Sequence, residues 1–477
     1  MSDFIGRKAD LKQLQRLTEK NTASLVVVYG RRRIGKSSFI EHFGKDYTML
    51  SFEGLSPRHA ISKQDQLDEF SRQLARQCQT DYQRFNDWGD ALYALSQHTA
   101  TGRRVVLLDE ISWMALEDDD LPGKIKIAWD KYFKKNPKLI FFVCGSVSAW
   151  IEENIVNSTG FHGRISLKIC LNELPLSDCK YFWGKAMNKV SNREKLHMLA
   201  VTGGIPKYLE EINPKVSAEE NIRRLAFTES GILFNDFKEI FTDTLMRKSD
   251  IYERIVRLLC DGPVDSKDIG DRVGASKGRY LSSILNELKL AGFIDQHASW
   301  DFKTGKASQV SQYRIRDNYI RFYLKYIEPN MASIITGNFA ERSLSSLPGW
   351  GSILSLQIEN LVLSNRARIK QLLGILPDEI LIDNPYLQRA TTAKQGCQID
   401  YLIQTKPSTL YVCEIKYTRS IIRKYVIEEV EEKIRRLKIP RHTSIRPVLV
   451  HLGDIHDEVL DADYFTHIIN LETLLED

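Results

Sequence analysis

The sequence lacks the features of disulfide-rich, zinc-finger and membrane-spanning proteins. Its seven cysteines, at positions 78, 144, 170, 179, 260, 397 and 413, are scattered, and no two form a CxxC pair. This spacing excludes a disulfide framework and a cysteine zinc site, and it indicates a reducing compartment. No apolar run approaches the roughly 20 residues that cross a bilayer, and no charged-then-apolar signal segment opens the sequence. We therefore expect a cytoplasmic protein with no membrane partner.

A large excess of one charge is also absent. The chain has 67 basic and 62 acidic residues, a formal net charge of +5. So small an excess permits nucleic-acid binding without arguing for it, because a balanced total can hide local basic patches. The length of 477 residues, with 43% hydrophobic residues, predicts a globular protein of two to four domains.

Three regions differ in their hydrophobic pattern. Residues 1–235 alternate short apolar runs with helical stretches, which predicts a parallel sheet covered on both faces. Residues 236–330 are largely helical and end in a predicted hairpin. Residues 345–477 predict a second α/β unit, with strands near 399–404, 410–415 and 446–452. The fold class is therefore α/β, with three domains at these boundaries.

The run Leu25 to Tyr29 leads into a complete GxxxxGK[ST] motif and then into a helix-compatible segment. The motif is Gly30-Arg31-Arg32-Arg33-Ile34-Gly35-Lys36-Ser37, followed by Ser38. In such a loop, backbone N–H groups and the positive end of the helix hold phosphates. Lys36 is expected to reach the β- and γ-phosphates, and the Ser37 hydroxyl to bind Mg²⁺. A chance glycine turn is the alternative. The three arginines either compensate phosphate or nucleic-acid charge or form a solvated face.

A second apolar run, Val105 to Leu108, delivers two acids at its carboxyl end, where open α/β sheets bind ligands. Asp109 is suited to hold Mg²⁺ through water, and Glu110 is suited to polarise the attacking water. The alternative is a pair of exposed acids at a strand end. An intact Glu110 favours ATP hydrolysis over binding alone.

Two further polar residues follow the next strands. Ser146 ends the run Leu139 to Cys144 and is placed to sense the γ-phosphate, although an ordinary strand-end serine explains it equally well. Arg164 is placed either to complete a neighbouring copy's site as an arginine finger or to open the next strand as a solvated side chain. The first reading implies a homo-oligomer.

These motifs together resemble the archaeal-type ATPases, a prokaryotic branch related to the AAA+ and STAND NTPases. The resemblance also includes the segments 4–7 and 203–209. It implies that Phe4 to Arg7 lie near the adenine and that 203–209 belongs to a helical lid. The expected nucleotide-binding residues are therefore Arg7, Gly30, Arg31, Arg32, Arg33, Ile34, Gly35, Lys36, Ser37, Ser38, Asp109 and Ser146. Asp10 departs from the glutamate that is usual in the family.

Members of this family commonly continue into a winged helix and then a domain similar to the PD-(D/E)XK nucleases. The middle region, with helices ending near 290 and a hairpin over 293–315, resembles a winged helix-turn-helix. In DNA-binding versions the third helix enters the major groove. Phosphate contacts are then expected at Lys277, Arg279, Lys303 and Lys306. The alternative is a spacer or protein-docking module.

The third region contains a carboxylate cluster. Glu414 and Lys416, two residues apart on one strand, face the same side, and pairing with the preceding strand brings Asp400 alongside. Two carboxylates suit Mg²⁺, and a lysine beside the metal orients water for phosphodiester attack. This is the PD-(D/E)XK arrangement, and Glu359 resembles the additional acid of such nucleases. A salt bridge between Glu414 and Lys416 is the structural alternative.

The sequence therefore predicts an ATP-binding and ATP-hydrolysing P-loop ATPase that acts on DNA, with ATP and Mg²⁺ as cofactors. Catalytic residues are expected at Glu110, Asp400, Glu414 and Lys416, and metal ligands at Ser37, Asp109, Asp400 and Glu414. The alternatives are a STAND-like nucleotide-controlled switch and a DNA-binding regulator with an inactive nuclease fold.

Overall fold

The computed structural model describes residues 4–57, 61–146, 148–245, 249–274, 278–339, 343–390, 392, 395–406 and 408–476. The chain divides into two compact units. The first contains Met1–Leu174, Lys238–Ser249 and Asn286–Gly292, and the second contains Pro175–Phe237, Asp250–Leu285 and Phe293–Asp477. Within the described ranges, no helix combines the length and the apolar character that crossing a bilayer requires.

The first unit is built on a five-stranded sheet whose neighbouring strands all run parallel. The strand order is β2-β3-β4-β1-β5. The strands are β1 (Ser24–Gly30), β2 (Thr48–Glu53), β3 (Arg104–Asp109), β4 (Leu139–Gly145) and β5 (Ile165–Leu171). Every residue of β4 is buried, as expected for a strand covered on both faces. The prediction of a parallel α/β sheet is confirmed.

Helices cover this sheet, and side-chain caps fix where two of them begin. The helices are α1 (Lys8–Thr18), α2 (Lys36–Gly44), α3 (Lys63–Cys78), α4 (Trp88–His98), α5 (Ile111–Met114), α6 (Leu121–Lys131) and α7 (Ser148–Ile151). Ser62 and Asp65 form a reciprocal capping box at α3, and Asp87 caps α4. Phe52, Phe70 and Trp88 pack in the core beneath these helices.

The second unit begins with helices and a small antiparallel sheet of order β6-β8-β7. The strands are β6 (Val264–Asp265), β7 (Ile294–Trp300) and β8 (Ala307–Ile315). The helices are α8 (Leu176–Cys179), α9 (Asn192–Thr202), α10 (Pro206–Leu209), α11 (Ala218–Ala226), α12 (Ile232–Leu245), α13 (Ser249–Leu258), α14 (Ser266–Val273), α15 (Arg279–Leu290), α16 (Asn318–Phe322) and α17 (Met331–Ile335). Three of them, α12, α13 and α15, have residues in both units.

A mixed five-stranded sheet of order β13-β12-β11-β10-β9 forms the C-terminal part of the second unit. Strands β9 to β11 pair antiparallel, and β11 to β13 pair parallel. The strands are β9 (Ile380–Gln388), β10 (Cys397–Thr405), β11 (Thr409–Tyr417), β12 (Ser444–Leu452) and β13 (His467–Asn470). The helices are α18 (Trp350–Ser364), α19 (Arg366–Leu372), α20 (Tyr425–Arg436) and α21 (Asp457–Asp461). The predicted strands correspond to β10, β11 and β12, whereas β9 and β13 were not anticipated.

The hairpin β7–β8 shares a core with the C-terminal sheet. The Trp300 indole N–H donates to Gln404 Oε1 at 2.6 Å, and Gln404 Nε2 donates to the carbonyl of Phe302 at 2.7 Å. The Ser299 hydroxyl donates to the carbonyl of Leu387 at 2.7 Å. The rings of Trp300, Phe302 and Tyr386 pack on one another. The hairpin is therefore fixed to β9 and β10 by buried hydrogen bonds and aromatic packing.

Candidate nucleotide site and C-terminal carboxylate cluster

The GxxxxGK[ST] loop connects β1 directly to α2. Its glycines take backbone angles that side chains disfavour, with φ at +148° for Gly30 and +83° for Gly35. A Cβ at Gly30 would also collide with the backbone carbonyl of Leu171 in β5. The loop thus depends on glycine twice over, because its backbone must turn sharply and must pass close to the neighbouring strand.

Lys36 and Ser37, which follow the turn at Gly35, point into the loop and toward the end of β3, respectively. The Lys36 side chain is buried, and its Nζ donates to the carbonyl of Arg31 at 3.2 Å. The Ser37 hydroxyl donates to Asp109 Oδ2 at 2.5 Å. The fold therefore brings together a hydroxyl and a carboxylate that are 72 residues apart in sequence. Oxygen donors of this kind are those that Mg²⁺ takes beside a phosphate.

Glu110 follows Asp109 and has a left-handed backbone, with φ at +49°. Its Oε2 accepts two hydrogen bonds from Ser146, one from the backbone N–H at 3.0 Å and one from the hydroxyl at 2.9 Å. The Glu110 N–H donates to Asp109 Oδ1 at 2.9 Å. Asp109, Glu110 and Ser146 therefore form one hydrogen-bonded group at the carboxyl ends of β3 and β4.

Two acids near this group were not identified from the sequence. Glu53, at the end of β2, is the register partner of Asp109. Burial, Asp109 and Glu110 raise the pKa of Glu53 above its usual range, and burial and Asp109 raise the pKa of Glu41 in α2. The signal for Glu53 was its place at the end of an apolar run, but using it required knowing that β2 neighbours β3. The concentration of negative charge suits a divalent cation.

The segment before α1 contacts the loop. Arg7 has a left-handed backbone, and its guanidinium donates to the carbonyls of Ile34 at 3.3 Å and Asn172 at 2.5 Å. The Phe4 ring stacks on the His42 ring of α2 with centroids 4.3 Å apart. Arg7 therefore holds the backbone of the loop, and its contact with nucleotide stays a prediction.

The loop arginines occupy three different environments. Arg31 is buried. Arg32 lies over the Trp113 ring at 6.0 Å, and Arg33 pairs with Glu239 at 2.7 Å. The positions open to variation in the motif thus contact protein groups of the first unit. Ser38 lies in the first turn of α2 and is exposed.

Arg164 is engaged within its own chain. Its Nε and Nη2 donate to both oxygens of Asp130, at 3.1 and 2.8 Å. Lys126 and Lys134 contact the same carboxylate. Hydrogen bonds from Arg164 hold the pKa of Asp130 well below its usual range. A role as an arginine finger would require Arg164 to leave Asp130.

In the second unit, β10 and β11 bring the predicted C-terminal acids to adjacent strands. Tyr401 pairs with Cys413, which places Asp400 and Glu414 one step further along the same ladder. Asp400 Oδ2 accepts from the backbone N–H of Ile415 at 2.9 Å. Burial, and next the Glu414 carboxylate, raise the pKa of Asp400 to about 7. The two acids are therefore close enough to perturb each other.

Both oxygens of Glu414 are occupied by lysines. Lys416 Nζ lies 3.0 Å from Oε1, and Lys433 of α20 donates to Oε2. Lys416 also pairs with Glu429 at 2.6 Å. The salt bridge considered as the structural alternative is thus present. Lys433 and Glu429 were missed because their helix carries many charged residues, so that no spacing distinguishes them.

Glu359 acts electrostatically on the C-terminal carboxylate cluster, but it also forms an ion pair of its own. It lies 3.2 Å from the buried Arg314 of β8 and raises the pKa of Asp400. Nowhere in the described ranges do three or more His, Cys, Asp or Glu side chains group in a way that would hold a metal ion.

Lys277, a predicted phosphate contact, lies outside the described residues. Arg279, Lys303 and Lys306 are exposed.

A parallel five-stranded sheet, with a GxxxxGK[ST] loop between its first strand and the following helix, defines a P-loop NTPase. Residues 4–212 match the family described as "ATPase domain predominantly from Archaea". This part of the chain therefore contains an archaeal-type ATPase domain. The resemblance drawn from the motifs is confirmed to this extent.

The relatives found are distant or short. An uncharacterized protein of Methanocaldococcus jannaschii is 23% identical over 346 residues, which is 70% of this chain and 71% of that protein. An uncharacterized ATP-binding protein of the same organism is 45% identical over 40 residues, which is 8% of this chain and 68% of that protein.

Two solved structures align with this chain over most of their own length. A Walker-type ATPase of Pyrococcus abyssi is 17% identical, with 68% of this chain and 96% of that chain covered and a TM-score of 0.49. The Aeropyrum pernix ORC2 protein, solved in ADPNP–ADP complexes, is 14% identical, with 72% and 98% covered and a TM-score of 0.42.

Proposed function

We propose that this protein hydrolyses ATP with Mg²⁺ at the site formed by the P-loop, Asp109 and Glu110, and that it uses this cycle to act on DNA. The observation that carries the proposal is the 2.5 Å hydrogen bond between Ser37 and Asp109 beside the buried Lys36. It pairs the hydroxyl and the carboxylate that would share the metal shell. The class of domain supports ATP as the nucleotide.

Each residue then has a separate task. Lys36 and the loop N–H groups neutralise and position the phosphates, and Ser37 and Asp109 supply oxygen donors for Mg²⁺. Bound Mg²⁺ would contribute charge neutralisation at the phosphate oxygens. Glu110 orients the attacking water, and Ser146 sets the position of the Glu110 carboxylate through two hydrogen bonds.

The ATPase proposal is tested by replacing Glu110 with Gln. We expect Glu110→Gln to bind a fluorescent ATP analogue normally and to lose about 100-fold or more in phosphate release, because only the water-orienting carboxylate is removed. Asp119→Asn changes an exposed acid of the same unit and serves as the matched control. Unchanged phosphate release in Glu110→Gln would contradict the assignment.

The same contact favours a second candidate function, a nucleotide-controlled switch. Ser146 donates twice to Oε2 of Glu110, and in a switch these two bonds would keep the carboxylate from orienting water. In a switch, Ser146→Ala would release Glu110 and raise basal turnover. If Ser146 instead senses the γ-phosphate, Ser146→Ala lowers turnover. Steady-state phosphate release by the wild type and the variant separates the candidates.

The proposed action on DNA includes cleavage by Asp400, Glu414 and Lys416. What supports it is an oxygen donor pair on adjacent strands with lysines at its edge. Mg²⁺ and a water nucleophile would take these oxygens in place of the Lys416 and Lys433 contacts on Glu414. The helices α13 to α15 and the hairpin would then form a winged helix. A DNA-binding regulator without cleavage differs from this proposal only at the acid pair.

Cleavage is tested on plasmid and linear DNA with Mg²⁺ or Mn²⁺, with and without ATP. We expect Asp400→Ala to abolish cleavage, and the response of Lys36→Ala to show whether ATP gates it. Asp378→Asn changes an exposed acid of the same unit and is the control. If wild-type protein turns over ATP but cleaves under no metal, the nuclease assignment fails and the regulator or switch remains.

A further inference from the structure

Two cavities of the second unit open side by side along β9. One, of about 580 Å³, is lined by the end of β9, by Asp400 of β10 and by Lys433 and Arg436 of α20. The other, of about 900 Å³, lies between the hairpin β7–β8, β9 and residues 438–441. Leu387, Gln388 and Arg389 line both. We call the combined depression the hairpin–sheet groove.

The groove has a charge that the whole chain does not have. Its lining contains six basic side chains against two acids, Asp301 and Asp400, whereas the chain has 67 against 62. The basic residues are Lys303, Arg389, Lys433, Arg436, Lys438 and Arg441. A local excess of this kind in a nearly neutral protein is the electrostatic footprint of a polyanion site.

The cations differ in how they are already paired. Arg389 pairs with Asp265, Lys433 with Glu414 and Arg436 with Glu432. For Lys303, Lys438 and Arg441, no acid forms a salt bridge within the described ranges, and the Asp301 carboxylate attracts Lys303 without such a contact. The Asp301 carboxylate accepts three hydrogen bonds, one from the Lys303 N–H and two from Thr304. Three cations at the outer end of the groove are therefore available to a ligand.

The walls of the groove are held in place. Buried hydrogen bonds tie Trp300 and Phe302 of the hairpin to Gln404. Gln388 Nε2 donates to the carbonyl of Arg436, and its Oε1 accepts from the N–H of Lys438. The hairpin, β9 and the segment after α20 thus present their cations from a rigid frame. A preformed site loses less conformational entropy on binding.

The aromatic residues that line the groove cannot stack on bases. Trp300, Phe302 and Tyr386 are 2%, 8% and 9% exposed, because their rings pack on one another in the core. Among the lining residues that the structure describes, charged side chains are therefore offered without an open ring face. Contacts of this kind position a phosphate backbone without reading sequence.

We infer that the hairpin–sheet groove binds the phosphate backbone of DNA and leads it to Asp400, with Lys303, Lys438 and Arg441 as the outer contacts. The inference rests on the proposed action on DNA, and it assigns the binding to this groove instead of the α15 helix with Arg279. Because no base is read, binding is independent of sequence. Its free energy comes from phosphate contacts and falls steeply with salt.

The test measures DNA affinity of the full-length protein by fluorescence anisotropy of a labelled duplex, in EDTA, so that neither ATP turnover nor cleavage contributes. The triple variant K303E/K438E/R441E is compared with K185E/K189E/K215E, which reverses three lysines of the same unit outside the groove. We expect the groove variant to bind about 30-fold or more weakly at about 0.1 M salt, with a salt slope reduced by about 2 to 3. The control is expected to bind within about twofold of wild type.

The remaining outcomes separate the two proposals. Wild-type binding that the groove variant retains, and that Arg279→Glu abolishes, would overturn the groove and keep the action on DNA. No wild-type binding to DNA at any salt would overturn both. Tighter binding of RNA of the same sequence would also overturn the inference. Circular dichroism of both triple variants shows that the charge reversals leave the fold intact.

Discussion

The two acid sites of this protein are built in opposite ways. At the end of β3, Asp109 meets a serine hydroxyl, and a backbone loop fixed by two glycines surrounds the lysine beside it. At β10 and β11, Glu414 meets two lysines, and Asp400 meets a backbone N–H and the field of neighbouring acids. The first site is held by backbone geometry, and the second by a network of charged side chains.

This difference predicts what substitutions will cost. A charge in a backbone-built site can be removed without loosening the fold, because few groups depend on it. A charge in a side-chain network supports its partners, and its removal leaves them buried without compensation. Substitutions at the P-loop are therefore expected to lower activity without lowering stability. Substitutions in the C-terminal cluster are expected to lower both.

The largest expected effect is at Lys36. We expect Lys36→Ala to lose about 100-fold or more in ATP turnover, because the amine that would neutralise the phosphates is removed from the loop. The melting temperature should stay near that of wild type, since this amine's hydrogen bond in the described structure goes to the Arg31 carbonyl. Lys45→Ala, just after the same helix, is the control. Equal losses of turnover and stability would remove the contrast between the sites.

The second prediction concerns the pH dependence of stability, to which His297 contributes. Burial, and the nearby Arg314 and Arg366, lower the pKa of this histidine in β7 to about 4, against the opposing effect of Asp295. Since the unfolded chain takes up the proton first as pH falls, the neutral histidine stabilises the fold fully above about pH 6.5, and this contribution is lost as pH falls toward 4. The loss amounts to about 3 kcal/mol.

The measurement is denaturant unfolding between about pH 7 and about pH 4.5, the interval in which the two states differ in proton uptake. We expect His297→Gln to show a flatter pH dependence than wild type over this interval, whereas His442→Gln, an exposed histidine of the same unit, follows wild type. Parallel curves for all three proteins would show that His297 does not titrate on unfolding.

Substitution of Glu414 should lower both the stability of the protein and the proposed DNA cleavage. We expect Glu414→Gln to lower the free energy of unfolding by roughly 2 kcal/mol, less than for a fully buried pair because the lysines are about a quarter exposed. The double variant Glu414→Gln with Lys433→Met should recover part of this loss. Chemical denaturation of the single and double variants measures the coupling, and strict additivity would contradict a shared network.

Arg164 gives the smallest expected effect. Its pair with Asp130 is partly exposed, so Arg164→Ala should lower the melting temperature by only about 1–2 °C. Because the pKa of Asp130 is lowered in the folded state, its contribution is present above the ordinary carboxyl pKa and disappears as pH falls below it. If Arg164 also completes a neighbour's site, Arg164→Ala loses turnover while Asp130→Asn does not.

The nucleotide site was predictable because its residues follow one another or end adjacent strands. The loop from Gly30 to Ser37 is contiguous, and the meeting of Ser37 with Asp109 follows from parallel strands ending at one edge. Glu53 was missed because the sequence does not state that β2 neighbours β3. The lateral order of strands depends on packing that local pattern does not encode.

The C-terminal cluster was predictable only in its acids and in Lys416. Asp400, Glu414 and Lys416 follow from strand periodicity, but Lys433 comes from a helix and Arg314 from the hairpin. The strand β9, with a polar and proline-containing centre at 383–385, has neither alternation nor a continuous apolar run. It forms because Tyr386 packs against Trp300 of the hairpin, a contact between residues 86 positions apart.

The position of β1 between β4 and β5 has a consequence for synthesis of the chain. Both strands that pair with β1 leave the ribosome roughly a hundred residues or more after it. At about 5–20 residues per second, the loop sequence waits several seconds before either neighbour exists. Until then the strands that flank β1 and its glycine loop are missing. A nascent chain that ends before β4 can therefore contain the complete motif and still lack a nucleotide site.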